Sequence, residues 1–226
     1  MELKSLPFFK WSEFEDDQCY SIALIGSRYA GKSTLLEQLL AEYIRPKYDF
    51  FIFFCNNPQA EVYNNWFKER EKVFIFSKFQ PKIIADLDEF QKKTKNFFRF
   101  AVIFDDCSSR KGVKMNDMLQ QLYIRGRNMN ATIVYSTQAH TFITKESRGN
   151  LDYLFLGKVN GIELSEAIAK HFLYDRVIPR FFGKTYIRIS KTERIDRLID
   201  WMKTNLVDHH FYVTDMRNDR EFQLKI

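Results

Sequence analysis

Cysteine is scarce in this chain. Cys19, Cys55 and Cys107 are the only three among 226 residues, odd in number and far apart. That argues against a disulfide framework or a zinc cluster, and for a reducing compartment. All three stand in or beside apolar runs, where a free cysteine behaves as a small buried hydrophobe. No run of 18 uninterrupted apolar residues occurs, so no membrane-spanning helix is expected. Met1-Glu2-Leu3-Lys4-Ser5 lacks the apolar stretch of a secretory signal. Repeats and low-complexity segments are absent. His140, His171, His209 and His210 show no metal-ligand spacing with the cysteines, and no role is assigned to them.

What is present is material for a large core. Hydrophobic residues make up 45% and aromatics 16% of the chain, enough for one large α/β domain. The net charge is +6 and the pI about 9.1. Basic and acidic residues are mostly interspersed, which suits a nucleic-acid partner and equally a solvated surface.

Apolar runs alternate with amphipathic stretches along the sequence. Strands are expected at Tyr20 to Ile25, Asp49 to Cys55, Val73 to Phe76, Phe100 to Asp106, Ala131 to Ser136 and Leu151 to Leu156. Tyr186 to Ile189 is expected to close the sheet, and Asn56-Asn57-Pro58 to end the second strand. Helices are expected from Ser33 to near Tyr43, and over Ile83 to Lys95, Met115 to Arg125, Glu163 to Phe172 and Ile195 to Thr204. The tail from His209 alternates loosely and fits a strand or an extension. This alternation predicts an α/β fold with a mostly parallel sheet and right-handed crossovers. Residues 1–19 read as an arm, aromatic and acidic, that packs on the body or on a neighbouring subunit. Residues 20–205 read as the main domain and 206–226 as a C-terminal extension.

Gly26-Ser27-Arg28-Tyr29-Ala30-Gly31-Lys32-Ser33 fits the pattern G-x-x-x-x-G-K-[ST], and it lies between an expected strand and an expected helix. That context is what phosphate binding requires. Glycines let the backbone wrap with its N–H groups inward, and the helix N-terminus adds partial positive charge. Lys32 would reach the β- and γ-phosphates, and Ser33 would ligate Mg²⁺; Thr34 completes the binding stretch.

Asp105-Asp106 ends an apolar strand, the pattern called Walker B. Strand polarity brings both carboxylates to the sheet edge that carries the loop. Asp105 would hold Mg²⁺ and Asp106 would act as general base towards the attacking water. Thr137-Gln138 closes the next strand, and Gln138 would orient that water or report the γ-phosphate. Arg125 and Arg127, in Arg125-Gly126-Arg127-Asn128, and Arg148 are the candidates for an arginine finger reaching a neighbour's nucleotide.

The order of these motifs resembles the FtsK/HerA superfamily of DNA-pumping ATPases. Within it, Arg125-Gly126-Arg127-Asn128, Ser136-Thr137-Gln138 and Arg148-Gly149-Asn150-Leu151-Asp152 resemble the poxvirus A32-type genome-packaging ATPases, over roughly residues 18–160. Arg28-Tyr29 departs from the small residues usual there, so those side chains must point outward. Asp106 stands where many relatives have Glu.

The resemblance implies a three-layer, RecA/ASCE-like P-loop NTPase that uses ATP and Mg²⁺. It implies a pentameric or hexameric homo-oligomeric ring threading double-stranded DNA into a preformed capsid, with a capsid vertex or membrane protein as partner. The setting would be the assembly site in the host cytoplasm, and the virion. DNA would be held through its phosphates, with Arg110, Lys111 and Lys114 as candidate grips.

Two other readings stand beside it: a nucleoside or nucleotide kinase, and a nucleotide-gated assembly scaffold with little turnover. A signalling GTPase is disfavoured, because the chain has no Asn-Lys-x-Asp and Asp105-Asp106-Cys107-Ser108 is not Asp-x-x-Gly.

Overall fold

A computed structural model describes residues 3–55, 72–107, 121–138, 143, 145–174 and 190–226. Its centre is one eight-stranded sheet in the order β3-β2-β4-β5-β1-β6-β7-β8. The strands are β1 (Ser21–Ile25), β2 (Phe50–Cys55), β3 (Val73–Phe76), β4 (Phe100–Asp105), β5 (Ala131–Thr137), β6 (Tyr153–Leu156), β7 (His210–Asp215) and β8 (Arg220–Lys225). The first six run parallel. β7 and β8 continue the same sheet antiparallel. Residues 206–226 therefore contribute two strands to the main sheet.

Among the described residues the named helices are α1 (Lys32–Leu39), α2 (Pro81–Lys93), α3 (Lys145–Gly149), α4 (Ile162–Ile168) and α5 (Lys191–Asn205). α1 and α4 each run on into a wider π-helical turn, at Leu40–Ile44 and Ala169–Leu173. Residues 121–125 are helical; the rest of the helix expected from Met115 lies outside the described residues. So do Asn56 to Pro58, Tyr186 to Ile189, His140, and the expected DNA grips Arg110, Lys111 and Lys114.

The central strands are apolar throughout because both their faces are covered. Side chains alternate between faces with period two. Ile22 and Leu24 of β1 join one core with Leu35, Leu36 and Leu39 of α1. Ala23 and Ile25 join the other, with Ile84 and Leu87 of α2, Ile168 of α4 and Leu198 of α5. The result is three layers: helix, sheet, helices.

The N-terminal segment packs on its own body. Phe8 bridges Gln223, and the Phe9 amide donates to the Gln223 carbonyl at 2.8 Å. Phe9 is buried edge-on to Phe155 at 5.2 Å and Phe222 at 5.6 Å. All three cysteines are free and buried. No helix among the described residues is long and apolar enough to cross a membrane.

Candidate nucleotide site at the C-terminal edge of the sheet

The glycine-bearing loop leaves β1 and turns into α1. Gly31, which precedes the helix, has φ +91°, a conformation open to glycine and strained for other residues. The first amide groups of α1 lack helical partners, which suits a helix N-terminus to anions. Arg28 and Tyr29 are exposed at the tip, with the guanidinium 5.5 Å from the Tyr29 ring centre.

Lys32 is buried, and its ammonium donates to the carbonyls of Gly26 at 2.9 Å and Ser27 at 3.1 Å. Burial pulls its pKa down, and the negative charge of Asp106 and Asp105 partly offsets that.

β5 lies between the loop strand β1 and the aspartate strand β4. At one strand spacing per step, the ends of β1 and β4 are about 10 Å apart, room for a phosphate and a hydrated cation. Asp105 ends β4 in register with Ser136. Asp106 follows with a left-handed backbone, φ +45°, and its amide donates to the Ser136 carbonyl at 2.9 Å. The Gln138 side-chain amide donates to the Asp106 carboxylate at 2.7 Å. Gly26 N–H donates to the Thr137 carbonyl at 3.3 Å, which ties the loop to the same strand.

A cavity of about 610 Å³ opens between these elements. Arg28, Tyr29, Gly31, Lys32, Ser33 and Thr34 line it from the loop and α1. Asp105, Asp106 and Gln138 line the opposite bank, and His209 lines it from the turn before β7. The Ser33 hydroxyl and the Asp105 carboxylate are hard oxygen donors of the kind Mg²⁺ takes, and a triphosphate would supply the rest. Among the described residues no group of three or more His, Cys, Asp or Glu could hold a metal by itself.

The arginines lie elsewhere. Arg127 pairs with Asp152, a buried carboxylate that also pairs with Arg217 and accepts the Ser21 amide at 2.7 Å. This cluster sits where β1, β5 and β6 begin, about 16 Å along the strands from the loop. Arg125 is exposed and borders a surface hollow with Asp88, Lys92 and Asn128. Arg148 donates to the Ile143 carbonyl at 2.8 Å and lies 5.4 Å from the Phe172 ring centre. None of the three lines the cavity of its own chain.

His209 is the pocket residue that motif reading passed over. It is remote in sequence from every motif, and only the antiparallel return of β7 brings it to the loop.

A phosphate-binding loop beside a central parallel sheet, with a strand inserted between it and the aspartate strand, defines a P-loop NTPase fold. The chain belongs to the family described as Poxvirus A32 protein, whose sequence model matches residues 9–171. Uncharacterized protein 015R of Frog virus 3 (isolate Goorha) is 25% identical over 179 residues, which cover 76% of this chain and 52% of that protein. The chain thus spans about half the length of this curated relative.

Among solved structures, the genome packaging NTPase B204 from Sulfolobus turreted icosahedral virus 2, in complex with AMP, superposes with a TM-score of 0.65 at 13% identity. That match covers 94% of this chain and 98% of B204. The cytoplasmic domain of the Type VII secretion ATPase EccC from Thermomonospora curvata gives 0.54 at 11% identity, covering 90% of this chain and 25% of that one. At these identities the likeness is one of fold.

Proposed function

We propose that this chain is a Mg²⁺-dependent ATPase that drives double-stranded DNA into a preformed viral capsid. The observation that carries the reading is the convergence of Lys32, Ser33, Asp105, Asp106 and Gln138 on one cavity. Membership of the A32 family and the fold shared with a packaging NTPase support it.

In this reading the amides of Gly26 to Ser33 and the start of α1 receive the phosphates, with Thr34 beside them. Lys32 exchanges the carbonyls of Gly26 and Ser27 for phosphate oxygens, which restores a full partner to its buried charge. Ser33 and Asp105 would hold Mg²⁺, which would supply charge neutralisation to the phosphates. Asp106 accepts the proton of the attacking water, and Gln138 holds that carboxylate in line. An arginine from a neighbour, with Arg125, Arg127 and Arg148 the candidates, completes the site in a homo-oligomeric ring of five or six. The DNA contacts are to phosphates and independent of sequence. A capsid vertex or membrane protein anchors the ring at the assembly site in host cytoplasm.

The test is ATP turnover with and without double-stranded DNA, alongside mass measurement with nucleotide bound. The expected result is DNA-stimulated turnover by an assembled species. Lys32→Ala abolishes it, and mixing Asp106→Asn with the finger variant restores part of it at hybrid interfaces. Turnover indifferent to DNA and to assembly sinks the motor reading and leaves a kinase or a scaffold.

A further inference from the structure

The strand order places the phosphate loop between two banks. Asp105 and Asp106 stand two strands from β1 on one side, and the turn that opens β7 stands two strands away on the other. If Asp105 and Asp106 serve the γ-phosphate as proposed above, the nucleoside end of a bound triphosphate points to the other bank, towards β6 and β7.

His209 occupies that bank. A Cβ placed on Gly31 would stand 2.9 Å from His209 Nδ1 and 3.1 Å from Ile226 Cδ1. The imidazole is therefore packed against the backbone of the loop at the start of α1, and it is also exposed to the cavity.

This placement is built. The Ile226 amide donates to the His209 carbonyl at 3.0 Å, and the His210 amide to the Val207 carbonyl at 3.1 Å. The Lys158 carbonyl accepts the Ser27 amide at 2.7 Å, and the Lys158 ammonium pairs with Asp208 at 3.0 Å. The Ser27 hydroxyl accepts the Asn160 amide at 2.6 Å. Phe211 lies so close to Gly157 that a Cβ there would meet its ring at 2.6 Å. The loop, the segment after β6 and the turn before β7 thus form one hydrogen-bonded unit. His209 itself holds a left-handed backbone, φ +61°, which L-residues other than Asn and Asp rarely adopt.

We propose that His209 is a nucleotide-contacting residue whose imidazole face lies against the nucleoside end of the bound nucleoside triphosphate. The chemistry is stacking, which any base face satisfies, so it adds affinity without strong base selection. The inference rests on the nucleotide-site reading above.

Calorimetric titration of ADP and of inorganic tripolyphosphate, each with Mg²⁺, separates the two. His209→Asn removes the ring and suits left-handed backbone. The expected result is about tenfold weaker ADP binding with tripolyphosphate unchanged, a loss inside the roughly 5- to 150-fold range that one stacked base supplies. His209→Phe keeps a flat ring and should restore most of the ADP affinity. Thermal melts show that both variants fold. Unchanged ADP binding in His209→Asn overturns the proposal, as does equal loss for both ligands or no recovery with Phe. Lys32→Ala should abolish both affinities; if it does not, the phosphate-loop reading fails independently of His209.

Discussion

Gln138 donates its side-chain amide to the carboxylate of Asp106 at 2.7 Å, across the ends of two neighbouring strands. In the proposed mechanism the pair acts as a unit, the amide holding the carboxylate. Asp106→Asn should leave ATPγS affinity near wild type and lower kcat by about 10²–10⁴-fold. Gln138→Ala should lower kcat less, and the double variant should lose less than the two single losses combined. A wild-type turnover that is already low and does not fall further in Asp106→Asn would favour the scaffold reading.

Lys32 carries a buried ammonium whose pKa burial pulls down. Between the folded and the unfolded pKa, the unfolded chain binds more protons. Stability contributed through this group therefore rises as pH climbs through that alkaline window. Lys32→Met removes the charge and keeps the stem. It should raise the nucleotide-free Tm by about 2–4 °C, equivalent to about 1 kcal/mol for a chain of this size, and abolish nucleotide binding. A melt series against pH should show the gain shrinking on the alkaline side.

Asp152 is fully buried between Arg127 and Arg217. Asp152→Ala takes the carboxylate from both guanidinium groups, while Arg217 keeps Gln18 and the Cys19 carbonyl. Urea titration should show a loss of about 2–3 kcal/mol, less than for a fully buried pair because Arg127 is half-exposed. ADP affinity should not change, since the cluster lies at the far end of the strands. The same ion pair means that Arg127→Ala needs a stability measurement beside any finger assay.

Phe9 fastens the N-terminal segment over Phe155 and Phe222. Phe9→Ala should cost about 3–5 kcal/mol by denaturant melting. The N-terminal segment covers the outer edge of β8, so loosening it should also promote concentration-dependent aggregation.

Much of this was legible in the chain. Runs such as Phe51 to Cys55 and Ala101 to Phe104 are apolar without alternation, which marks strands covered on both faces. The loop and the aspartate pair could be placed at one edge because parallel strands share their polarity. The insertion of β5 between β4 and β1 was not legible, because periodicity carries no information on which strands pair. Nor was Arg127 with Asp152, whose partners meet through three strand starts. Alternation in the tail fits a strand or an extension and gives no direction, and the antiparallel direction is what delivers His209 to Gly31.

The buried cysteines have a practical consequence. Burial raises the Cys19 thiol pKa and pushes that of Cys107 up to about 12, so little reactive thiolate exists near neutrality. With Cys55 buried as well, the chain is expected to react slowly with maleimides. One thiol introduced at the exposed Tyr29 would carry a dye at the lip of the cavity on an otherwise unmodified background. Nucleotide occupancy could then be followed optically.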